Sequence, residues 1–364
     1  MTPTDLRTFR RRLLSWFRKN ARALPWRATR DAYAIWISEI MLQQTQVATV
    51  IPYFQRFLER FPTLVALADA GEQEVLCLWA GLGYYRRARD LWRAARQLHE
   101  AGHGTVPNDP DLVRTLSGFG RYTANAVLSQ AYDRPLPIVE ANSLRVLCRL
   151  FAIDQDPKQN VVQKQLWRLA ETLVPRTRAG DFNQAMMELG ALVCTPHKPD
   201  CGQCPVAAHC QARRTGRQDE IPPRAKSPEI VAIEEVAAIV RKFDKLLLAQ
   251  RPDGGRWARM WEFPHHAVNP GEAHADSVVR LLETVGLEGE VQEELATIDH
   301  SLTRFRITMT CYAVAHKRRA GALKRYTDAV WIAPTKLTTY PLSAPQKRLV
   351  AFLQEQLLWT KAQG

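Results

Sequence analysis

Two acidic residues stand in stretches that read as helical. Glu39 precedes an apolar triplet and three glutamines in the stretch from Ser38 to Gln46. Polar side chains in such a helix either edge a polar cleft, which we favour, or occupy exposed positions without a role. Glu140 lies where an extended segment enters another helix, and the dipole at a helix N-terminus favours an ionised carboxylate. The alternative for Glu140 is an ordinary capping acid between two core helices.

A glycine turn precedes the helix that leads to Glu140. In Leu116-Ser117-Gly118-Phe119-Gly120, both glycines permit positive φ and leave backbone N–H groups uncovered by side chains. The following residues, Arg121 to Leu128, have a helical pattern. The turn therefore predicts a phosphate-binding site at a helix N-terminus, and the alternative is an ordinary glycine turn between two core helices.

Four cysteines follow one another in a short segment with the spacing C-x6-C-x2-C-x5-C: Cys194, Cys201, Cys204 and Cys210. Four thiolates on such a loop can bind tetrahedral zinc or an iron–sulfur cube, and the spacing alone does not choose. Lys198 and Arg213 flank the cysteines and can contact phosphates. The other three cysteines, Cys77, Cys148 and Cys311, have apolar neighbours and are predicted to be core thiols.

A second glycine turn, Gly81 to Tyr85, presents Leu82 and Tyr84 beside an arginine-rich helix, Arg86 to Leu98. Apolar and aromatic side chains next to arginines fit intercalation into stacked bases. The alternative is that both are ordinary core residues.

These residues must be positioned by a mostly helical first part and a mixed second part. Apolar periodicity predicts helices over Leu6–Lys19, Tyr33–Val50, Val161–Leu173, Phe182–Val193, 272–285 and 344–359, and strands over Ile230–Val240, Lys245–Gln250 and Ser301–His316. A change to Arg, Gly, Pro and Ser from Gln211 to Glu229 indicates a linker. The predicted domains are residues 1–215 (all-α) and 230–364 (α+β), joined by 216–229.

The charge balance favours a polyanionic partner. The chain has 364 residues, which suits two domains, and a formal net charge of +13. Arginine clusters supply much of the excess, so we expect nucleic acid before membrane. The sequence shows neither an apolar run of transmembrane length nor a signal-type N-terminus, which predicts a cytoplasmic, nucleoid-associated protein.

The Gly118-Phe119-Gly120 turn, the acid at 140, the cysteine spacing and the LQQTQ helix together resemble the helix-hairpin-helix DNA glycosylases of the endonuclease III superfamily. Within it, Leu24-Pro25-Trp26-Arg27, Gly81 to Tyr85 and a linked C-terminal domain resemble adenine DNA glycosylases of the MutY type. The resemblance implies an all-α catalytic domain with a [4Fe–4S] cluster and a C-terminal Nudix-like α+β domain. It also implies excision of adenine mispaired with 8-oxoguanine or guanine in double-stranded DNA, by a protein that we expect to be a monomer.

The same resemblance assigns roles to individual residues. Glu39, among apolar neighbours, would have a raised pKa and protonate adenine N7, while Glu140 would stay ionised and face the oxocarbenium-like sugar. Tyr122 and Asn142 would lie near the sugar and the catalytic water. The remaining assignments are Arg27 and Gln184 to the adenine pocket, Gln44, Leu82 and Tyr84 to the orphaned base, and Gly118 and Gly120 to DNA.

Three features of the sequence determine what chemistry to expect. The bifunctional relatives place a lysine at Tyr122, whose amine forms a Schiff base, so this chain should leave the strand intact. The family acid corresponding to Glu140 is normally aspartate, and the extra methylene can displace the carboxylate by about 1 Å. The lesion-reading triplet Phe-Ser-His is Leu302-Thr303-Arg304 here, which makes a preference for 8-oxoguanine less secure than one for adenine.

Two rival interpretations remain open. A thymine or uracil mismatch glycosylase of the same superfamily shares Tyr122 and the cysteines but generally lacks the C-terminal domain. A catalytically impaired DNA-binding relative is the second, and Glu39 weighs against it because a DNA-binding protein without catalysis has no use for this acid. The helix Val279–Gly286 resembles a Nudix box but matches only one of its acids, Glu283, which favours recognition over hydrolysis.

Overall fold

The computed structural model describes residues 2–223 and 229–362, and side chains up to residue 355. Part of the predicted linker, residues 224–228, lies outside the described residues. The chain divides into two compact units, Met1–Asp69 with Asp90–Lys226, and Ala70–Arg89 with Ser227–Gly364. The domain bounds inferred from composition, 1–215 and 230–364, remain a prediction.

The described chain up to Arg214 is helical, as predicted. Its helices are α1 (Pro3–Asn20), α2 (Ala32–Leu42), α3 (Val47–Arg60), α4 (Leu64–Ala68), α5 (Glu72–Trp79), α6 (Arg86–Glu100), α7 (Pro110–Thr115), α8 (Arg121–Tyr132), α9 (Ala141–Phe151), α10 (Asn160–Leu173), α11 (Ala179–Leu192) and α12 (Gln211–Arg214). Helix α12 occupies the start of the segment that composition indicates as a linker. No described helix is long and apolar enough to span a membrane.

Helix α2 carries Glu39 through the interior of the first unit. Asp31 caps it by accepting hydrogen bonds from the backbone N–H groups of Tyr33 and Ala34. Every residue from Ala32 to Met41 is buried, because the helix is apolar all round instead of amphipathic. The predicted single helix from Tyr33 to Val50 is wrong, since α2 ends at Leu42 and α3 begins at Val47.

The core of the first unit also joins α1 to α11. Phe9, Leu13 and Phe17 form the buried stripe of α1, and the rings of Phe9 and Phe182 lie 6.3 Å apart. Burial of such side chains stabilises a fold by roughly 1.5–3 kcal/mol each. Of the three predicted core thiols, Cys148 and Cys311 are fully buried, whereas Cys77 is half-buried.

The second unit contains a mixed sheet with helices packed on it. Its elements after α5 are β1 (Val231–Lys242), β2 (Lys245–Gln250), β3 (Trp261–Glu262), β4 (His265–Ala267), α13 (His274–Thr284), β5 (Leu287–Leu302), β6 (Phe305–Arg319), β7 (Asp328–Ile332) and α14 (Ala344–Ala362). The strand order is β3-β2-β1-β6-β5, with β4 paired to β1 and β7 to β2. Only β1 and β6 pair in parallel; the other described pairs are antiparallel.

Two apolar layers cover this sheet. One includes Phe263, Met309 and Leu349, and the other includes Val240 and Leu281. Helix α5 belongs to this unit because the side chain of Gln73 accepts a hydrogen bond from Trp261 Nε1 at 3.1 Å. The predicted strand from Ser301 to His316 is instead a hairpin, because β5 ends at Leu302, which pairs with Phe305 at the start of β6.

Candidate active site

Glu39 is a buried acid with both carboxylate oxygens occupied. Its side chain is 4 % exposed on α2. The hydroxyl of Tyr122 on α8 donates to Oε2 at 2.6 Å, and Nε2 of Gln130, two helical turns further along α8, donates to Oε1 at 2.7 Å. Glu39 and Tyr122, assigned to separate roles from the sequence, are therefore in direct contact, and Gln130 is a partner that the sequence does not reveal.

Burial dominates the titration of this pair. It raises the pKa of Glu39, against the opposing effect of the hydrogen bonds from Tyr122 and Gln130. The charge of Glu140 raises the pKa of Glu39 further, and that of Arg27 lowers it, so both charges lie close enough to act on it. Burial also raises the pKa of Tyr122 well above its usual value. A raised pKa favours the protonated form of a carboxyl group, and this is the form that general acid catalysis needs.

Glu140 is the N-cap of α9, as its position predicts. Its carboxylate accepts the backbone N–H of Asn142 at 2.8 Å and that of Ser143 at 2.7 Å. Nδ2 of Asn142 adds a longer bond of 3.3 Å to the same oxygen as its backbone N–H. Three donors thus fix the orientation of the carboxylate. Glu140 and Asn142, both predicted site residues, are in contact.

The predicted contrast between the two acids differs from the structure. The sequence predicts a raised pKa for Glu39 and an anion at Glu140, yet burial raises the pKa of Glu140 as well. The backbone N–H groups of Asn142 and Ser143 and the charge of Arg145 oppose that rise. From the sequence, only the helix dipole at Glu140 could be considered. The desolvation of this carboxylate by elements that are distant in the chain and pack around α9 could not be included.

Arg27 is held by an acid that sequence reasoning missed. Its guanidinium donates to both oxygens of Glu188 on α11, at 3.1 and 2.8 Å. Arg22 binds the same carboxylate at 2.7 Å, and these bonds overcome burial to lower the pKa of Glu188 to about 2. Gln184, one turn earlier on α11, is half-buried, and its side chain makes no hydrogen bond to a described residue. Two cations and one fixed anion therefore form a polar wall near Glu39.

Helix α7, the glycine turn and α8 together form a helix-hairpin-helix. Gly118 has φ of +75°, and a Cβ there would meet Cβ of Asp90 at 3.0 Å. Gly120 is the N-cap with φ of −73°, so the prediction of positive φ holds for Gly118 alone. No side chain caps the N-terminus of α8, which leaves its first amides to an external acceptor. Between the glycines, the ring of Phe119 stacks on that of Trp36 on α2 at 4.9 Å.

The residues predicted to act at the orphaned base have different exposures. Gln44 is exposed in the break between α2 and α3 with φ of +56°, and Tyr84 is 51 % exposed with φ of +49°. Leu82 is only 6 % exposed, so its predicted display on the loop is wrong in this structure. Its side chain packs inward while its backbone carbonyl accepts a hydrogen bond from Arg87.

The four cysteines lie together at the C-terminal side of α11. The charges of Cys194, Cys201 and Cys210 each raise the pKa of Cys204, which burial raises first, to about 12. The buried guanidinium of Arg149 donates to Sγ of Cys194 at 3.3 Å and to the carbonyl of Thr195 at 2.7 Å. Within the part of the chain that the structure describes, no three His, Cys, Asp or Glu side chains are arranged to hold a metal ion.

Comparisons with known proteins match both units. The family model of the HhH-GPD superfamily base excision DNA repair proteins matches residues 37–172, and that of the NUDIX domain matches residues 235–352. The adenine DNA glycosylase of Rattus norvegicus is 36 % identical over 96 % of this chain and 79 % of its own length. That of Homo sapiens is 35 % identical over 97 % of this chain and 75 % of its own length. The chain belongs to the adenine DNA glycosylase family.

Solved structures agree with the fold of the first unit of this family member. A thermostable thymine-DNA glycosylase is 31 % identical, with a TM-score of 0.54, over 58 % of this chain and 98 % of its own. Endonuclease III in a non-covalent DNA complex shares the fold at 22 % identity, with a TM-score of 0.50, over 59 % of this chain and 98 % of its own. These matches cover only part of the chain, whereas the two adenine glycosylases described above match nearly all of it.

In the second unit, the triplet that departs from the family pattern lies where β5 turns into β6. Thr303 and Arg304 are the two exposed loop residues between β5 and β6. Thr303 has φ of +50°, which is uncommon for a β-branched residue. The guanidinium of Arg304 lies over the ring of Phe305, 5.2 Å from its centroid. Strain at an exposed position is typical of a binding turn.

Proposed function

We propose that this adenine DNA glycosylase family member flips adenine out of duplex DNA and cuts its glycosidic bond without cutting the strand. The observation that carries the proposal is the buried Glu39, held by Tyr122 and Gln130 and within electrostatic reach of Glu140 and Arg27. Adenine cannot be attacked inside a base stack, so it must leave the duplex to reach such an acid.

Each residue then has one step. Glu39 donates a proton to N7 of adenine as the C1′–N9 bond breaks and its electron pair passes to the base. The carboxylate of Glu140, fixed by three donors, stabilises the positive charge that develops on the sugar. Water then adds to C1′ and gives its proton to a carboxylate. Asn142 lies beside Glu140 and can orient that water.

Tyr122 keeps the reaction hydrolytic. A phenol with a raised pKa forms no Schiff base with the sugar, so the backbone-cleaving step of the lysine-bearing relatives has no nucleophile here. The hydroxyl instead holds the acid, at 2.6 Å from Oε2 of Glu39. The reaction class that fits is therefore N-glycosyl hydrolysis alone.

Arg27 and Glu188 supply the wall of the proposed adenine pocket. Because Glu188 is 1 % exposed and binds two guanidinium groups, it holds Arg27 in one orientation. A fixed guanidinium beside Glu39 presents hydrogen-bond donors to a base. We assign Gln184 to the same pocket on the family resemblance and its place one turn from Glu188.

The opposite base is read, we propose, by the Thr303–Arg304 turn, with Gln44 and Tyr84 at the orphaned position. The substrate is adenine opposite 8-oxoguanine or guanine in double-stranded DNA, bound by one copy of the protein. Gly118 and Gly120 position the amides of α8 for a backbone phosphate.

We infer from the family resemblance that the four cysteines hold an iron–sulfur cluster of the [4Fe–4S] type, although the described side chains are not arranged around a single metal ion. Their thiols act on one another electrostatically, and Cys194, Cys204 and Cys210 pack against the core of the first unit. Arg149 offers a positive charge to the sulfur of Cys194. When bound, the cluster would tie the loop from 194 to 210 to the end of α11 and bring Lys198 and Arg213 with it. None of the catalytic steps above passes through it.

Base release from defined duplexes tests this function. The full chain is incubated with adenine opposite 8-oxoguanine, guanine or thymine, and with thymine or uracil opposite guanine, and free bases are separated by chromatography. We expect adenine release opposite 8-oxoguanine and guanine, and intact strands until alkali is added. Release of thymine or uracil in its place would favour the mismatch glycosylase, which the 31 % identical thymine-DNA glycosylase keeps as a second candidate. Binding without any release would favour the impaired relative.

A further inference from the structure

The tip of the β1–β2 hairpin carries an aromatic side chain that the fold does not use. Phe243 is 85 % exposed, the highest exposure among the large apolar side chains that the structure describes. It occupies the first of the two loop positions between Lys242 and Lys245, with φ of +54°. Two-residue hairpin loops favour glycine or asparagine at positive φ, so phenylalanine costs stability there without burying its ring.

Three basic residues and one acidic residue, Asp244 at the second loop position, flank this ring. Lys242 and Lys245 face each other across the hairpin, and among the described residues neither pairs with a carboxylate. Arg241 lies beside them and donates Nε to the carbonyl of Phe243 at 2.9 Å, which holds the strained turn. The Nζ of Lys242 also lies 5.7 Å from the ring centroid of Trp331 on β7. An exposed aromatic ring among unpaired cations is typical of surfaces that bind nucleic acid.

The position of this tip separates it from the lesion-reading turn. Val231 pairs with Phe305 at one end of β1, and Arg241 pairs with Ala315 ten residues further along. At about 3.3 Å a residue, the tip lies roughly 33 Å from the Thr303–Arg304 turn along the sheet. That length is about one helical turn of B-form DNA, or roughly ten base pairs.

We propose that Phe243, Lys242 and Lys245 form a second contact with the same duplex, about ten base pairs from the mispair. The ring wedges against or between base pairs, and the two ammonium groups bind the adjoining phosphates. The placement on the duplex rests on the proposed function of the Thr303–Arg304 turn, whereas the contact itself rests on the hairpin alone.

Duplex length tests the proposal with the full chain. One duplex has 14 base pairs and another 30, each with a central mispair that carries 2′-fluoro-2′-deoxyadenosine so that the base is retained. Phe243→Gly removes the ring and suits the turn, so its fold should be at least as stable as the parent's. Lys242→Gln with Lys245→Gln removes the charges. Val279→Ser and Lys336→Gln are matched controls on other exposed surfaces of the second unit.

On the 30-base-pair duplex we expect Phe243→Gly to weaken binding roughly fivefold or more, as removal of an aromatic ring that stacks on a base does. The double lysine variant should lower the slope of log Kd against log salt by about 2, one for each phosphate that is no longer neutralised. Neither should change binding to the 14-base-pair duplex, nor adenine release from a cleavable duplex of that length. The controls should match the parent.

Equal affinities of parent and variants on the long duplex would overturn the proposal. So would equal decreases on both lengths, or a decrease confined to single-stranded DNA of 30 nucleotides. Adenine release from the short duplex is measured separately, so a failure of the proposed function would be seen there and not in the comparison of lengths.

Discussion

Shortening Glu140 to aspartate separates two explanations for the longer acid. In the structure both carboxylate oxygens are fixed by N–H groups, the backbone ones at 2.8 and 2.7 Å. Removing one methylene draws the carboxylate back by about 1 Å, a misplacement that can cost ~100-fold in rate. The backbone has little room to follow, because Asn142 packs so closely on α11 that a Cβ at Gly190 would lie 2.7 Å from it.

We therefore expect Glu140→Asp to lower adenine release about 100-fold if the longer acid is a working replacement. Aspartate is itself a good N-cap, so the free energy of unfolding should change little. The measurement is single-turnover release from a duplex with adenine opposite 8-oxoguanine, with enzyme in excess, beside thermal unfolding of the same samples.

Glu140→Gln is the matched control. Its amide keeps the length but carries no charge, and it should be slow by roughly 100- to 1,000-fold, as when a stabilising group for the transition state is removed. A rate for Glu140→Asp above that of the parent would refute the reasoning and identify Glu140 as a damaged aspartate.

Four further outcomes follow from the geometry. Glu39→Gln should abolish adenine release and keep mispair binding, and near-normal release would show that the acid is assigned wrongly. At alkaline pH the same variant should unfold at a higher temperature than the parent. The sign of that thermal effect follows from the raised pKa of Glu39. The folded state binds this proton more tightly than the unfolded state does, so the free energy of unfolding falls as pH rises from the unfolded pKa of Glu39 through its folded pKa. An amide has no such proton and is not subject to this loss. Tyr122→Lys should form DNA adducts that borohydride traps and that the parent lacks. Trapping should be most efficient above neutral pH, because Glu39 will stabilise the ammonium form of the new lysine. Efficient trapping by the parent would contradict a hydrolytic enzyme. Protein prepared without oxygen should be brown and contain iron, whereas stoichiometric zinc in place of iron would refute the cluster. Arg304→His should raise the ratio of adenine release opposite 8-oxoguanine to adenine release opposite guanine. An unchanged ratio would show that Arg304 does not read the opposite base.

Local signals in the sequence predict the elements that carry the site. A proline-containing extended segment before Glu140 predicts a helix start there, and Glu140 is the N-cap of α9. The backbone freedom of Gly118 is a local property that predicts a turn, and its φ is positive. Such features depend on a few neighbouring residues, so a pattern can reveal them.

Other features depend on residues far apart in the chain. The break after Leu42 has no glycine or proline to announce it, and Gln43 leaves the helix with its side chain bound to Thr123 at 3.2 Å. Glu188 meets Arg22 and Arg27 across more than 160 positions. An acid within the apolar run around Glu188 is the same signal that marks Glu39, and it is present in the sequence. Burial of Glu140 and Leu82 requires the packed structure itself.

The two donors on Glu39 determine which of its oxygens can carry the proton. The amide Nε2 of Gln130 can only donate, so the oxygen it faces, Oε1, must remain an acceptor. A hydroxyl can reverse, and that of Tyr122 donates to the carboxylate but can accept from the acid. The neutral acid therefore stores its proton on Oε2, in a bond that an arriving base must replace. Until a base reaches that oxygen, the proton remains directed at Tyr122, and the enzyme is a poor acid toward any nucleotide that stays in the stack.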